Sequence, residues 1–169
     1  MRVLGIDPGS QSTGFGIIDL EEARYTVRAL GTIKPARRLP FHLKLKTIAL
    51  KVGEMIAAHS PDEVAIESPF YAQNVKTAIA LGQVRGAVLT AVASTGCPLA
   101  EYSALEIKKS VTGYGRAEKH QVNAMVRALL SIEDEVEMDA SDALAAAICH
   151  LNTRMFRRAV EESADGEKR

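Results

Sequence analysis

The spacing of apolar and polar residues changes several times along the chain, and each change marks an element. Arg2 to Asp7 is a short apolar run closed by the turn Asp7-Pro8-Gly9-Ser10, and Thr13 to Asp19 resumes it with Phe15, Ile17 and Ile18 between glycines. Two such runs so close together predict adjacent antiparallel strands. From Tyr25 to Ile33 the alternation of Tyr25, Val27 and Ala29 with Thr26, Arg28 and Leu30 predicts a third strand, followed by a loop holding Pro35 and Pro40. Phe41, Leu45, Ile48, Val52, Met55 and Ile56 then recur at helical spacing as far as His59, where Ser60-Pro61-Asp62 breaks the pattern. Glu63 to Glu67 reads as a short buried strand, and its arrival after a helix predicts parallel pairing. A long helix is expected from about Asn74 to Ser94, a last strand over Pro98 to Tyr102, and helices over Ala104 to Val111, Glu118 to Leu130 and Ala140 to Arg158. This order predicts an α/β fold: a mixed five-stranded sheet, three antiparallel strands then parallel ones, flanked by helices.

With 169 residues, 47% of them hydrophobic, the chain has material for one core and no need of staples. A single domain over 1–158 is expected, with 159–169 a polar, frayed tail. Cys97 and Cys149 lack the spacing of a zinc site and read as buried thiols. No bilayer-crossing run and no signal-peptide layout stand out, so no membrane partner and a cytoplasmic location are expected. The 21 basic and 21 acidic residues cancel, which argues against coating nucleic acid by bulk charge, but they are segregated. Arg24, Arg28, Lys34, Arg37, Arg38, Lys44, Lys46 and Lys51 follow one another with no acid between them, whereas Ile132 to Asp142 holds Glu133, Asp134, Glu135, Glu137, Asp139 and Asp142 with no base. These are either two solvated faces or a phosphate-binding surface beside an acidic site.

Four carboxylates occupy positions that such a sheet would bring together. Asp7 and Glu67 end apolar strands, and Asp139 and Asp142 share one face at the start of the last helix. Taken singly each has a plain structural reading: a turn aspartate, a solvated strand end, an N-cap and the acid of a capping box. Together they would repel, and a divalent cation relieves that. Oxygen ligands without cysteine or a histidine pair favour Mg²⁺ or Mn²⁺ over zinc. Two such ions about 4 Å apart suit in-line hydrolysis of a phosphodiester.

Five motifs carry a family resemblance over Leu4 to about His150: Leu4-Gly5-Ile6-Asp7-Pro8-Gly9-Ser10 with Thr13-Gly14-Phe15-Gly16; Ala65-Ile66-Glu67 followed by Phe70; Leu81-Gly82-Gln83-Val84-Arg85-Gly86; Ala117-Glu118-Lys119 with Gln121-Val122; and Asp139-Ala140-Ser141-Asp142-Ala143-Leu144-Ala145. In order and spacing they resemble the RuvC family, bacterial Holliday-junction endonucleases of the ribonuclease H-like fold. The resemblance implies that Asp7, Glu67, Asp139 and Asp142 are metal-binding catalytic carboxylates acting with two Mg²⁺ ions. The products would be symmetric nicks with 5′-phosphate and 3′-hydroxyl ends. It further implies four-way junction DNA as substrate, a homodimer, and the RuvA and RuvB branch-migration proteins as partners.

Such a substrate must be gripped by its phosphates and opened at its centre. Phe70, with Tyr71 beside it, occupies the place where the family's aromatic stacks on an unpaired base. Lys108 and Lys119 resemble its DNA-contacting lysines, and Arg85, Lys109 and Arg116 are further basic candidates. The helix from Asn74 to Ser94 is apolar around most of its circumference and rich in Ala and Gly, so a second partner beyond the sheet is expected, namely another copy of the chain. Rival readings are an actin-like or sugar-kinase ATPase, for which the chain lacks a second lobe, an RNA-end-processing relative, and a junction-binding protein that does not cut.

Overall fold

The structure, a computed structural model, describes residues 1–68 and 74–166. Its first strand, β1 (Arg2–Asp7), is buried through its middle on both faces. That is the behaviour of a central strand with helices above and below, and explains why the sequence there runs apolar instead of alternating. β2 (Thr13–Glu21) is buried likewise, whereas β3 (Arg24–Ile33) alternates between exposed and half-buried residues, as an edge strand does. After α1 (Phe41–His59) the chain enters β4 (Glu63–Glu67), then α2 (Val75–Thr95), β5 (Leu99–Tyr102), α3 (Ala104–Thr112), α4 (Lys119–Leu130) and α5 (Met138–Gly166). The sheet order is β3-β2-β1-β4-β5. β1 pairs antiparallel with β2 and parallel with β4, and β4 runs parallel to β5. The expected mixed five-stranded, ribonuclease H-like sheet is therefore the observed one.

Alternation along the strands divides the core in two. Val3, Ile18 and Ala65 pack with Ile107, Val126, Leu144 and Ile148 from α3, α4 and α5. Leu4, Ile6, Ile17, Val64 and Ile66 point the other way, onto Ile48, Val52, Val84 and Val88 of α1 and α2. α5 lies close on β1 and β2 because glycines face it. A Cβ on Gly5 would stand 1.9 Å from the Ala143 carbonyl oxygen, and one on Gly16 only 2.4 Å from Leu144.

Three details depart from the sequence reading. The β2–β3 hairpin closes on two residues, Glu22 and Ala23, both in the left-handed region with φ of 48° and 63°. No Asn-Gly or Asp-Gly signal marks such a turn, so the strands extend further than their residues announce. α5 continues through Gly166 instead of ending at Arg158; polar side chains do not stop a helix, and Arg158 pairs with Glu162 one turn on, at 2.8 Å. Finally, α2 is by length and composition long and apolar enough to cross a bilayer, which corrects the expectation that no such stretch exists. Its apolarity comes from alanines and short aliphatics spread around Lys76 and Arg85, with no unbroken bulky run. In the fold it packs Val84, Val88 and Val92 against the sheet.

Candidate active site

Strand parity decides where two of the acids go. Val3 of β1 packs on the α5 side and Leu4 and Ile6 on the other, so Asp7 ends the strand on the α5 side. On β4, Ala65 takes the α5 side between Val64 and Ile66, so Glu67 does the same. Ile6 stands opposite Ile66 in the parallel register. Asp7 and Glu67 thus finish adjacent strands at one height.

Helix α5 delivers the other pair. Gly14 is the cross-strand partner of Asp7, and a Cβ there would lie 1.8 Å from the carbonyl oxygen of Asp139. A glycine is required for the first turn of α5 to rest on the strand end. One helical step later Asp142 enters the cleft that Glu67 also lines. All four carboxylates are half-buried.

The grouping shows in their proton affinities. Burial, followed by the charges of Asp142, Glu67 and Asp139, pushes the Asp7 carboxyl up from 3.8 to about 7. Glu67 is raised as well, first by burial and then by Asp142. Among the described residues the one cation in direct contact is Lys119, whose Nζ lies 2.9 Å from Asp142 Oδ2; that hydrogen bond raises the lysine's own pKa. Among the described residues no three His, Cys, Asp or Glu side chains close by themselves into a coordination shell. Mutual repulsion keeps like charges apart until a cation stands between them. An all-carboxylate donor set, partly desolvated, with one member's pKa raised to about 7 by burial and by its acidic neighbours, fits a hard divalent cation.

The adjoining cleft, of about 360 Å³, is lined by Glu67, Asp142, Lys108 and Lys119 together with Leu105, Ile107 and Val122. Lys108 and Lys119 therefore stand at the acids. Arg116 is exposed in the α3–α4 turn, next to Gly115 of the cleft wall. Lys109 lines a separate cavity along β5. Arg85 is turned inward, 11% exposed, with its guanidinium bound to the Glu67 carbonyl and to Glu101. Phe70 and Tyr71 lie outside the described residues. An aromatic not singled out from the sequence, Tyr114, stands 59% exposed in the turn beside Gly115; its flanking glycines were the only signal.

The long basic run also resolves into parts. Arg28, with Arg2, holds buried Asp19 down at about 2, through hydrogen bonds of 2.6 and 2.7 Å. Lys34, Arg37 and Arg38 follow β3 at the end of the sheet where Thr32 pairs with Gly14, the partner of Asp7. Lys34 contacts Glu137, just ahead of Asp139. Within the run, Lys34 is thus tied to the chain just ahead of the acids on α5.

Comparison with known proteins follows the same lines. The family model described as crossover junction endodeoxyribonuclease RuvC matches residues 3–150. A protein of that description from Magnetococcus marinus is 44% identical over 94% of this chain and 88% of its own length. One from Pelobacter propionicus is 46% identical over 94% and 90%. Among solved structures, Thermus thermophilus RuvC in complex with Holliday junction substrate superposes with a TM-score of 0.86 at 29% identity, covering 91% of this chain and 94% of that one. The yeast mitochondrial resolvase Ydc2, at 10% identity and a TM-score of 0.68, shares the fold.

Proposed function

The chain belongs to the RuvC family of crossover junction endodeoxyribonucleases, and from that premise we propose that Asp7, Glu67, Asp139 and Asp142 are the carboxylates with which it cuts. It is a junction-resolving endonuclease, a hydrolase of a metal-dependent nuclease family. The observation that carries the assignment is the meeting of two strand ends and one helix start on a single face, with Asp7 pushed up to about 7 by burial and then by its three acidic neighbours.

These acids would hold Mg²⁺, two ions per site, with Mn²⁺ an effective substitute. When bound, such ions supply charge stabilisation of the phosphorane-like transition state and acidify water for in-line attack. Asp7 and Glu67, fixed at the ends of buried strands, orient the ligand sphere. Asp139 and Asp142, on the rigid first turn of α5, close it from above. Lys119 pairs with Asp142 and, when released toward DNA, neutralises a scissile or adjacent phosphate. Lys108 and Arg116 extend the grip along the backbone, Lys109 contributes less directly, and Phe70 with Tyr71 opens the crossover by stacking. The products are symmetric nicks with 5′-phosphate and 3′-hydroxyl ends.

Symmetric nicking calls for two sites, and the reading therefore includes a homodimer. Leu50 on α1 and Val75 and Ile79 on α2 are exposed by 55%, 75% and 59%, and between the two helices Gly53, Ala87 and Ala91 line a shallow apolar trough. A second copy laid on this face buries it; Leu50→Glu would leave a monomer in sedimentation velocity that binds junctions weakly. Handover from the RuvA and RuvB branch-migration proteins, in the cytoplasm, completes the reading.

The test is cleavage of a synthetic mobile four-way junction and of an equal-length linear duplex, with Mg²⁺ or with EDTA, resolved on a denaturing gel. Paired nicks in the junction alone, and only with metal, are expected. Binding without cutting would reduce the protein to a junction-recognition module, and equal cutting of the duplex would remove the structural selectivity.

A further inference from the structure

We infer that Arg85 is a positioning residue for the nuclease site: its guanidinium fixes the main chain that carries Glu67, and does not contact DNA. The inference rests on the assignment of Glu67 as a metal-binding carboxylate. It follows from three contacts. Arg85 Nη1 donates to the Glu67 carbonyl oxygen at 2.7 Å, and Nη2 lies 2.6 Å from Glu101 Oε2. One residue further on, the Ser68 N–H donates to the Tyr102 carbonyl oxygen, also at 2.7 Å. The strand end is thereby held by a side chain from α2 and by the neighbouring strand at once.

Parity makes the arrangement possible. Glu101 stands opposite Ile66 in the β4–β5 register, so it takes the α2 side of the sheet, where Arg85 arrives from the opposite face to the four acids. Glu67 is the junction of the two faces: its side chain goes to α5 and its carbonyl to Arg85. An arginine side chain with only 11% of its surface exposed has little left to offer a phosphate, and its charge is matched by Glu101. The planar fork of arginine reaches two acceptors on different strands at once, a geometry that a lysine ammonium on a single flexible stem does not reproduce. Charge-assisted bonds of this length are the stronger kind. They also fix the point from which the chain leaves toward Phe70.

Removing groups that orient a metal ligand typically costs 10–100-fold in metal affinity or activity. The experiment compares full-length wild type with Arg85→Met, Arg85→Lys and Glu101→Gln in three measurements: junction binding in EDTA by fluorescence anisotropy, single-turnover cleavage against Mg²⁺ concentration, and Mn²⁺ binding without DNA by electron paramagnetic resonance. For Arg85→Met we expect unchanged junction binding in EDTA, with the Mg²⁺ half-saturation and the Mn²⁺ dissociation constant both raised by about 10–100-fold. Arg85→Lys should recover part of the loss, and Glu101→Gln should move the metal readouts in the same direction by less. Weaker EDTA binding with unaltered metal dependence would make Arg85 a DNA contact and overturn the inference, as would metal readouts that do not move. If Arg85→Met fails to fold by circular dichroism, Arg85→Lys and Glu101→Gln decide, since Glu101 is 46% exposed and tolerates a neutral isostere. Glu67→Gln is the separating control. If it cleaves normally, the carboxylate assignment has failed; if it is inactive while Arg85→Met shows wild-type metal dependence, only the positioning role has.

Discussion

Asp7→Asn should make the metal-free protein more stable and the enzyme inert, and the size of the first effect should depend on pH. Asp7 carries its proton to about 7 in the fold against 3.8 in the ordinary state. The folded chain therefore binds the proton more tightly, and between those two pH values wild-type stability falls as pH rises. At 1.36 kcal/mol for each tenfold change, the raised pKa costs the wild-type fold about 4 kcal/mol at pH 8 and about 1.7 kcal/mol at pH 5, where the folded carboxyl is protonated and the unfolded one is ionised. Asparagine keeps the shape and never ionises. Whatever fixed penalty its amide brings, near 1–2 kcal/mol if left unpaired, is the same at both pH values. The advantage of the variant over wild type should thus grow by about 2.5 kcal/mol from pH 5 to pH 8, or roughly 5–10 °C in melting temperature for a domain of this length. Urea titrations in EDTA at the two pH values measure it directly. Adding Mg²⁺ should raise wild-type stability and leave the variant unmoved, because ligand binding stabilises only the fold that binds. Junction binding in EDTA should persist while cleavage disappears. An advantage that does not change with pH would refute the electrostatic crowding of the site, and normal nicking would remove Asp7 from the chemistry.

Gly14→Ala should be costly out of proportion to one methyl, since its Cβ would meet the Asp139 backbone at 1.8 and 2.2 Å; about 3 kcal/mol or more of stability is at risk, and any folded fraction, separated by thermal melting, should cleave poorly because α5 has been lifted. Replacing Glu22 and Ala23 by Asn-Gly should relieve two left-handed residues, adding about 1–2 kcal/mol in urea unfolding without changing cleavage; no gain would mean that the turn is not strained. Phe70→Ala should slow cutting of a fully paired junction far more than of one with a pre-opened centre, and equal loss on both would end the stacking role.

Much of this was legible before any coordinates. The alternation and apolar runs yielded every strand and helix in order, because both periodicities are local properties of the backbone. The boundaries that slipped, at Glu22-Ala23 and beyond Arg158, are those where nothing in the residue types reports the backbone: a left-handed turn without glycine, and a polar helix extended past its last core contact. The candidate acids Asp7 and Glu67 were legible because a carboxylate ending a buried strand is conspicuous, and Asp139 and Asp142 because three residues apart on a helix share a face. The basic candidates were ranked by the resemblance alone, Lys108 and Lys119 ahead of Arg85, Lys109 and Arg116, and charge by itself did not separate them. Lys108, Lys109 and Arg85 read alike in one dimension, yet one lines the cleft at the acids, one a cavity along β5, and one lies beneath the sheet.

What the sequence determined by itself was the set of acids and the parity of the strands that bear them, since parity follows from counting residues. Only the tertiary structure decided that Gly14 lets Asp139 settle onto the partner of Asp7 and that Lys119 reaches Asp142. It alone decided that Arg85, one of the basic candidates, turns its guanidinium inward onto the Glu67 carbonyl and Glu101. Long side chains span several ångströms in directions set by packing between elements distant in sequence, and no local pattern encodes which acceptor they will meet.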